Sequence, residues 1–161
     1  RYFAQQVPKC NASMTISNPF HLAIPVSDLD VALAFYEKHL GCCRGRESHD
    51  WVYLDFFGHQ LVLHRTDEIK GAGAKGANPV DGKQVPVPHF GVVLEWEAFD
   101  SLVAQLRAAG RAFLIEPCTR FKGAVGEQRT CFLSDPCGNV LEFKTFKDEA
   151  MLFAREIESD G

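Results

Sequence analysis

The chain has 161 residues, a net charge of −4 at pH 7, 46% hydrophobic residues and 24% charged residues. That length suits one ordinary domain or two small fused modules, and a chain of this size buries roughly 70% of its unfolded surface without disulfide staples. The mild negative charge and the lack of a basic run interleaved with aromatics argue against a nucleic-acid surface, and no apolar run approaches the ~20 residues of a membrane span.

Residues 1–13 (RYFAQQVPKCNAS) are poor in acids and precede Met14, just after which the periodic pattern begins. Residues 1–17 are therefore expected to be an N-terminal extension, with 1–13 the remnant of a cleaved organelle-targeting peptide or added sequence. The first reading places the protein inside a mitochondrion or plastid, the second in the cytoplasm. Secretion is not expected. Cys10, Cys42, Cys43, Cys118, Cys131 and Cys137 show no CxxC pair and no zinc-ribbon spacing, and read as free thiols in a reducing compartment.

The first module is expected over residues 18–66. Residues 20–26 are apolar on both sides, as in a strand covered on both faces, and His21 lies near the start. Ser27, with Asp30 three residues on, resembles a capping box. Leu29, Ala32, Leu33, Tyr36 and Leu40 then make an apolar helical stripe that closes at Gly41. Residues 42–49 read as a weak strand and 51–57 as a stronger one; a turn at Gly58 leads to a strand at about 60–65. Residues 67–87, with Gly71, Gly73, Gly76, Gly82, Pro79 and Pro86, read as a linker between two units and as a flap over a site.

The second module is expected over residues 88–147. A strand over 89–95 opens with His89, and a helix over 97–109 carries Phe99, Leu102, Val103 and Leu106 on one face before Gly110. Strands follow at 112–116, 129–134 and 139–146, the last two joined by the turn Asp135-Pro136-Cys137-Gly138-Asn139. The tail, 148–161, holds the apolar cluster Met151-Leu152-Phe153, expected as a short helix that docks on the body or on a partner.

Each half thus reads β-α-β-β-β. His21 precedes Gly41 by 20 residues and His89 precedes Gly110 by 21. Asp55 to Leu63 aligns with Asp135 to Phe143 at a constant offset of 80, which puts Val62 where Glu142 sits. The expected fold class is α+β, two βαβββ modules pairing their curved mixed sheets around a central cavity.

Three polar residues hold matched or asymmetric places: His21 and His89 open the first strand of each half, and Glu142 lies in the last strand of the second. Strand alternation puts Glu142 on the face of Val140 and Lys144. If the two sheets face each other, two imidazoles and a carboxylate can form a facial triad, with open positions on an octahedral metal. The plain alternative is a pair of satisfied strand histidines and a Glu142 that needs a cationic partner, for which Lys144 is available. His64 shares a strand face with Gln60 and Val62 and is a candidate general base; a hydrogen-bonded strand-end histidine is the alternative. His39, at a helix C-terminus, reads as structural. His49 and His59 are expected to face solvent.

With its paired modules and the segments NPFHLAIPVSDLDVALAFY, DFFGHQLVLH, VPVPHFGVVLEW and GEQRTCFLSDPCGNVLEFKTFKD, the chain resembles the vicinal oxygen chelate superfamily across residues 18–148. That superfamily includes glyoxalase I, extradiol ring-cleavage dioxygenases, and fosfomycin- and bleomycin-resistance proteins. The nearer resemblance is to its glyoxalase-like family of predicted extradiol dioxygenases. The resemblance implies that His21, His89 and Glu142 are metal ligands. Glyoxalase I types take a fourth ligand where Val62 stands; a slipped alignment offers Gln60. A three-ligand site implies Fe(II), with Mn, Zn, Ni or Co as alternatives, and extradiol cleavage of a small vicinal diol or catechol with dioxygen. His64 is the candidate catalytic acid/base group. Val62, Phe132 and Val140 would line the cavity, and Gln60, Gln128 and Thr130 would supply polar contacts. Arg120 and Lys122 could meet an anionic group, although solvated surface charge explains both. The rival readings are a glyoxalase-like lyase or isomerase, a non-catalytic small-molecule binder, and a structural subunit. A homodimer or a larger assembly is compatible with each.

Overall fold

The first module starts with β1 (His21–Val26), which buries Ile24 and Val26 and leaves His21 exposed. The computed structural model describes residues 17–67, 76–80 and 82–155. Helix α1 (Leu29–Leu40) follows. Its N-cap is Asp28, whose Oδ1 accepts the Val31 N–H at 3.0 Å, so the expected Ser27–Asp30 box is not the cap used. A carboxylate is the better acceptor beside the positive end of the helix dipole. The helix buries Ala32, Leu33, Phe35, Tyr36 and Leu40, with the Phe35 and Tyr36 rings edge to face at 5.2 Å. Gly41 ends it at φ 69°, and its N–H reaches the Glu37 carbonyl.

Strands β2 (Cys43–Glu47), β3 (Trp51–Phe56) and β4 (His59–Arg65) complete a sheet of order β1-β4-β3-β2. β1 runs parallel to β4 and the other pairs are antiparallel. The β3–β4 turn has two positive-φ residues, Phe57 (54°) and Gly58 (84°), the pattern of a type I′ hairpin. Glycine adopts it freely; Phe57 does so at a cost. Asp55 Oδ1 braces the turn by accepting the Gly58 N–H at 2.7 Å.

The stretch expected to be a linker contains a hairpin, β5 (Gly76–Val80) and β6 (Lys83–Val87). Its glycines and prolines masked the alternation that periodicity would have detected. Then come β7 (Phe90–Val93), α2 (Trp96–Ala108), β8 (Ile115–Arg120), β9 (Gln128–Ser134) and β10 (Val140–Phe146). The sheet order β7-β10-β9-β8 repeats that of the first module, with β7 parallel to β10 and the rest antiparallel. The chain divides into two compact units, Arg1–Lys70 and Gly71–Gly161. The α+β class and the repeated βαβββ module are therefore as expected.

Helix α2 buries Phe99, Leu102, Val103 and Leu106, the expected stripe. β8 starts later than the expected 112–116. The Arg111 N–H still bonds the Leu106 carbonyl at 3.0 Å, which holds the chain in the helix-terminal turn, and pairing with β9 begins when the Leu114 N–H meets the Phe132 carbonyl at 2.7 Å. The core of this module includes Cys131, Leu133, Leu141 and Phe143, all nearly inaccessible to solvent.

Strand register sharpens the repeat. β1–β4 pairing sets His21 opposite Gln60 and Ala23 opposite Val62. β7–β10 pairing sets Gly91 opposite Glu142. Ala23 and Gly91 each stand two residues after their histidine, so Val62 and Glu142 are true register equivalents. The offset is not constant, however. Asp55 pairs with Gln60, whereas Ser134 pairs with Val140, so the neighbouring strand is displaced by one residue. The second hairpin is longer by that residue, and Asp135 matches Asp55 in role rather than in register. Its Oδ1 accepts the N–H groups of Cys137 and Asn139, each at 2.8 Å.

The tail forms a short 3-10 helix (Glu149–Phe153) in which Met151 is half-buried and Phe153 exposed. Cys42, Cys118, Cys131 and Cys137 are free thiols; Cys43 is disulfide-bonded, contrary to the expectation for it. Residues 1–16, with Cys10 and Met14, lie outside the described residues. No described helix is long and apolar enough to cross a membrane.

Candidate metal centre

β10 is an inner strand of the second sheet, flanked by β7 and β9, and Glu142 sits at its middle opposite Gly91 and Phe132. The close approach of β7 depends on Gly91: a Cβ there would overlap the Glu142 carbonyl oxygen. The Glu142 side chain is nearly buried, at 14% exposure, so each of its oxygens needs a partner. Oε1 accepts the Thr130 hydroxyl at 2.6 Å and lies 3.4 Å from Lys144 Nζ. Lys144 is thus the cationic neighbour that the sequence suggested. Oε2 faces His89 Nε2 at 3.1 Å.

His89 lies just before β7, after the cis Val87–Pro88 bond. Its Nδ1 is 2.6 Å from the Pro86 carbonyl oxygen. A carbonyl only accepts, so Nδ1 carries the proton and a neutral His89 leaves Nε2 as a bare acceptor. Nε2 then confronts the carboxylate Oε2, acceptor against acceptor. A proton or a cation between them relieves the repulsion. The 3.1 Å separation fits an N–H···O contact from a protonated ring, and it fits a cation as well: cis ligands at ~2.1 Å from an octahedral ion lie about 3.0 Å apart. The Pro86 carbonyl behind His89 and the Thr130 hydroxyl behind Glu142 are contacts of the kind that orient metal ligands. The Phe132 ring meets the His89 ring edge to face at 5.1 Å.

A cavity of about 380 Å³ opens beside this pair. His89, Thr130, Phe132, Glu142 and Lys144 line it, together with Cys118 and Arg120 from β8. Lys83 and Val85 of the hairpin also reach it. Of the residues expected at the site, the second module therefore brings His89, Glu142, Thr130 and Phe132 together. Gln128 and Val140 are buried but do not line this cavity. Lys83 and Cys118 had no sequence signal of their own; an unassigned Lys83 in a Gly/Pro-rich stretch reads as solvated. Arg120, whose guanidinium lies 5.8 Å from the Phe121 ring, is a cavity residue as well as a surface one.

The first module shows the same local logic at His21. Its Nδ1 is 2.7 Å from Gln60 Oε1, its register partner. An amide oxygen accepts, so Nδ1 donates and Nε2 is again the free nitrogen. Gln60 thus orients His21. Val62 is buried and apolar, with Tyr53 and Ala23 as strand partners. His64 is exposed on β4, in register with Pro25 and Trp51. His39 contacts the Phe35 ring in the last turn of α1. His49 is exposed and bonds Asp50, as expected, whereas His59 is half-buried and accepts the Phe20 N–H at 3.0 Å. Among the described residues no group of three or more His, Cys, Asp or Glu side chains is gathered for a metal; the second module brings two candidate ligands, His89 and Glu142, together.

Residues 19–143 match the family model of the Glyoxalase/Bleomycin resistance protein/Dioxygenase superfamily. The crystal structure of a glyoxalase/bleomycin resistance protein/dioxygenase from Alicyclobacillus acidocaldarius is 35% identical, with a TM-score of 0.69, and the match covers 92% of this chain and 100% of that one. The virulence protein STM3117 of Salmonella typhimurium is 25% identical over 134 residues, 83% of this chain and 87% of that protein. The metallothiol transferase FosB of Lysinibacillus sphaericus is 24% identical over 132 residues, 82% of this chain and 84% of that protein. With its repeated βαβββ modules and a family match over most of its length, the chain belongs to the Glyoxalase/Bleomycin resistance protein/Dioxygenase superfamily.

Proposed function

We propose that the chain is a divalent-metal-dependent enzyme acting on a small anionic molecule that reaches the metal through oxygen. The observation that carries this reading is the 3.1 Å approach of His89 Nε2 to Glu142 Oε2, each side chain held from behind by an oriented partner. His89 and Glu142 would hold the ion. His21, with its own Nδ1 engaged by Gln60, is a further candidate ligand. When bound, the metal supplies Lewis acidity to a substrate oxygen. Two nitrogens and one carboxylate oxygen suit Fe, Mn, Zn, Ni or Co.

The cavity favours addition or group transfer as the reaction class. Its described charged lining is Lys83, Arg120 and Lys144 against the single carboxylate of Glu142, a positive wall that receives an anionic substrate and stabilises charge developing on it. Its imidazole is His89, whose two nitrogens are already committed. Metal-dependent thiol transfer, the chemistry in the name of the Lysinibacillus relative, fits such a wall.

Extradiol cleavage is the second reading, favoured by the Phe132 ring beside His89, a surface for an aromatic substrate. That reading needs a separate acid/base group, and His64 is the candidate. One experiment separates the two. The chain is loaded anaerobically with Fe(II), Mn(II) or Zn(II), then assayed for oxygen uptake with catechols and for thiol consumption with small anionic electrophiles. Thiol consumption without oxygen uptake supports the first reading. Oxygen uptake with a catechol replaces it by the second, and failure to take up any of the three ions defeats both.

A further inference from the structure

The β5–β6 hairpin has no counterpart among the described strands of the first module. Its residues are mostly exposed, and an isolated two-stranded hairpin is marginal on its own. The hairpin nevertheless forms part of the cavity wall: Val80, Lys83 and Val85 all face the space beside His89 and Glu142. Lys83 makes no ion pair among the described residues, whereas Lys144 is engaged with Glu142. Among the described lining residues, three cationic side chains stand against one carboxylate. Ile115 and Phe132 add apolar surface to the same lining.

We propose that the β5–β6 hairpin is a recognition arm for substrates that carry an oxyanion on a small apolar body. Lys83 and Arg120 receive the oxyanion; Val80, Val85, Ile115 and Phe132 receive the body. This rests on the reading of the cavity as the substrate site beside a metal. The arm has a second connection to that site. Pro86, three residues after Lys83 on β6, carries the carbonyl that fixes His89 Nδ1 at 2.6 Å. One strand therefore seats the substrate anion and aims the imidazole.

The test uses the metal-free chain and three probes: phenyl phosphate, benzoate and benzyl alcohol, which share a ring and differ in charge. Binding is followed by amide chemical shifts for the wild type, Lys83→Gln and Lys83→Arg. Phenyl phosphate binds more tightly than benzoate, and benzoate more tightly than benzyl alcohol. K83Q weakens phenyl phosphate about tenfold or more, the worth of a charge-assisted hydrogen bond, and leaves benzyl alcohol unchanged; K83R restores the charged probe. Equal affinity for the three probes, or a K83Q that binds phenyl phosphate like the wild type, overturns the proposal. A parallel zinc titration tests the metal reading by itself. If the chain takes no zinc but keeps the Lys83-dependent anion preference, the arm stands and the metal reading falls.

Discussion

His89 Nε2 and Glu142 Oε2 stand 3.1 Å apart, while the other nitrogen of His89 and the other oxygen of Glu142 are held by the Pro86 carbonyl and the Thr130 hydroxyl. Neither side chain can turn away without giving up its outer bond. The pair is preorganised, and the outer bonds are where that organisation can be weakened without removing either side chain.

Thr130→Val is the direct case. It keeps the β-branched shape that a buried strand position accepts and removes the donor to Glu142 Oε1. Loss of an outer contact of this kind lowers metal affinity by about 10- to 100-fold. Calorimetric titration with Zn(II) should show that loss in T130V while one ion per chain still binds. An unchanged affinity would mean that Thr130 does not orient Glu142.

Gly91→Ala should be far more damaging than its size suggests. The added Cβ would overlap the Glu142 carbonyl oxygen, an atom of the backbone, so β7 and β10 must separate. Overpacking of this kind costs about 3 kcal/mol and should also disturb metal binding. Gly76→Ala, where an added Cβ meets nothing within 4 Å, is the control and should leave urea denaturation unchanged. Equal stability of the two variants would contradict the strand register.

Acid should loosen the segment before β9. Glu127 Oε2 accepts the Gly123 N–H at 2.9 Å and contacts Lys147 Nζ at 3.2 Å. The Gly123 N–H first, and Lys147 after it, hold the Glu127 carboxyl below its ordinary 4.5, against the upward push of burial. A carboxyl whose pKa is lowered by folding stabilises above its unfolded value, and that contribution is lost as pH falls through the folded value. Hydrogen exchange at Gly123, corrected for intrinsic rates, should lose protection below about pH 4.5 in the wild type. In Glu127→Gln it should be weak at every pH. A wild-type profile flat in acid would refute the assignment.

The thiols should divide by environment. Burial pushes Cys42 and Cys131 up to about 12, so neither forms much thiolate at pH 8. Cys118 and Cys137 are half-buried. Iodoacetamide on the folded chain should label Cys118 and Cys137 and spare Cys42 and Cys131. Because Cys118 lines the cavity, phenyl phosphate should slow its labelling and not that of Cys137.

Much of this fold was legible because turn residues and apolar stripes recur. His21 with Gly41 and His89 with Gly110 mark the same strand-helix unit twice, and Phe99, Leu102, Val103 and Leu106 face the core as their spacing requires. What was not legible depends on contacts between distant residues. Asp28 displaces Ser27 as the cap because a carboxylate competes better for helix N–H groups. Phe57 takes a left-handed conformation that its type disfavours, since Gly58 and Asp55 impose the turn. The extra residue in the Asp135 turn shifts a neighbouring strand without altering the pattern of either strand. At the site, Glu142 was visible as an acid among apolar strand residues. The Pro86 carbonyl, a backbone atom in a proline-rich stretch, was not, and Lys83 was hidden by the same composition.

If His89 and Glu142 are a ligand pair for a divalent ion, the His89 ring nitrogens will report it. Long-range proton–nitrogen NMR of the His89 ring during a Zn(II) titration tests it most directly. A ring protonated at Nδ1 throughout is expected, with the Nε2 resonance moving to the value of a metal-bound nitrogen at one ion per chain, and no such change in Glu142→Gln at the same zinc concentration. An Nε2 resonance that stays in place as zinc is added, or an Nδ1 that is the deprotonated nitrogen, would contradict it.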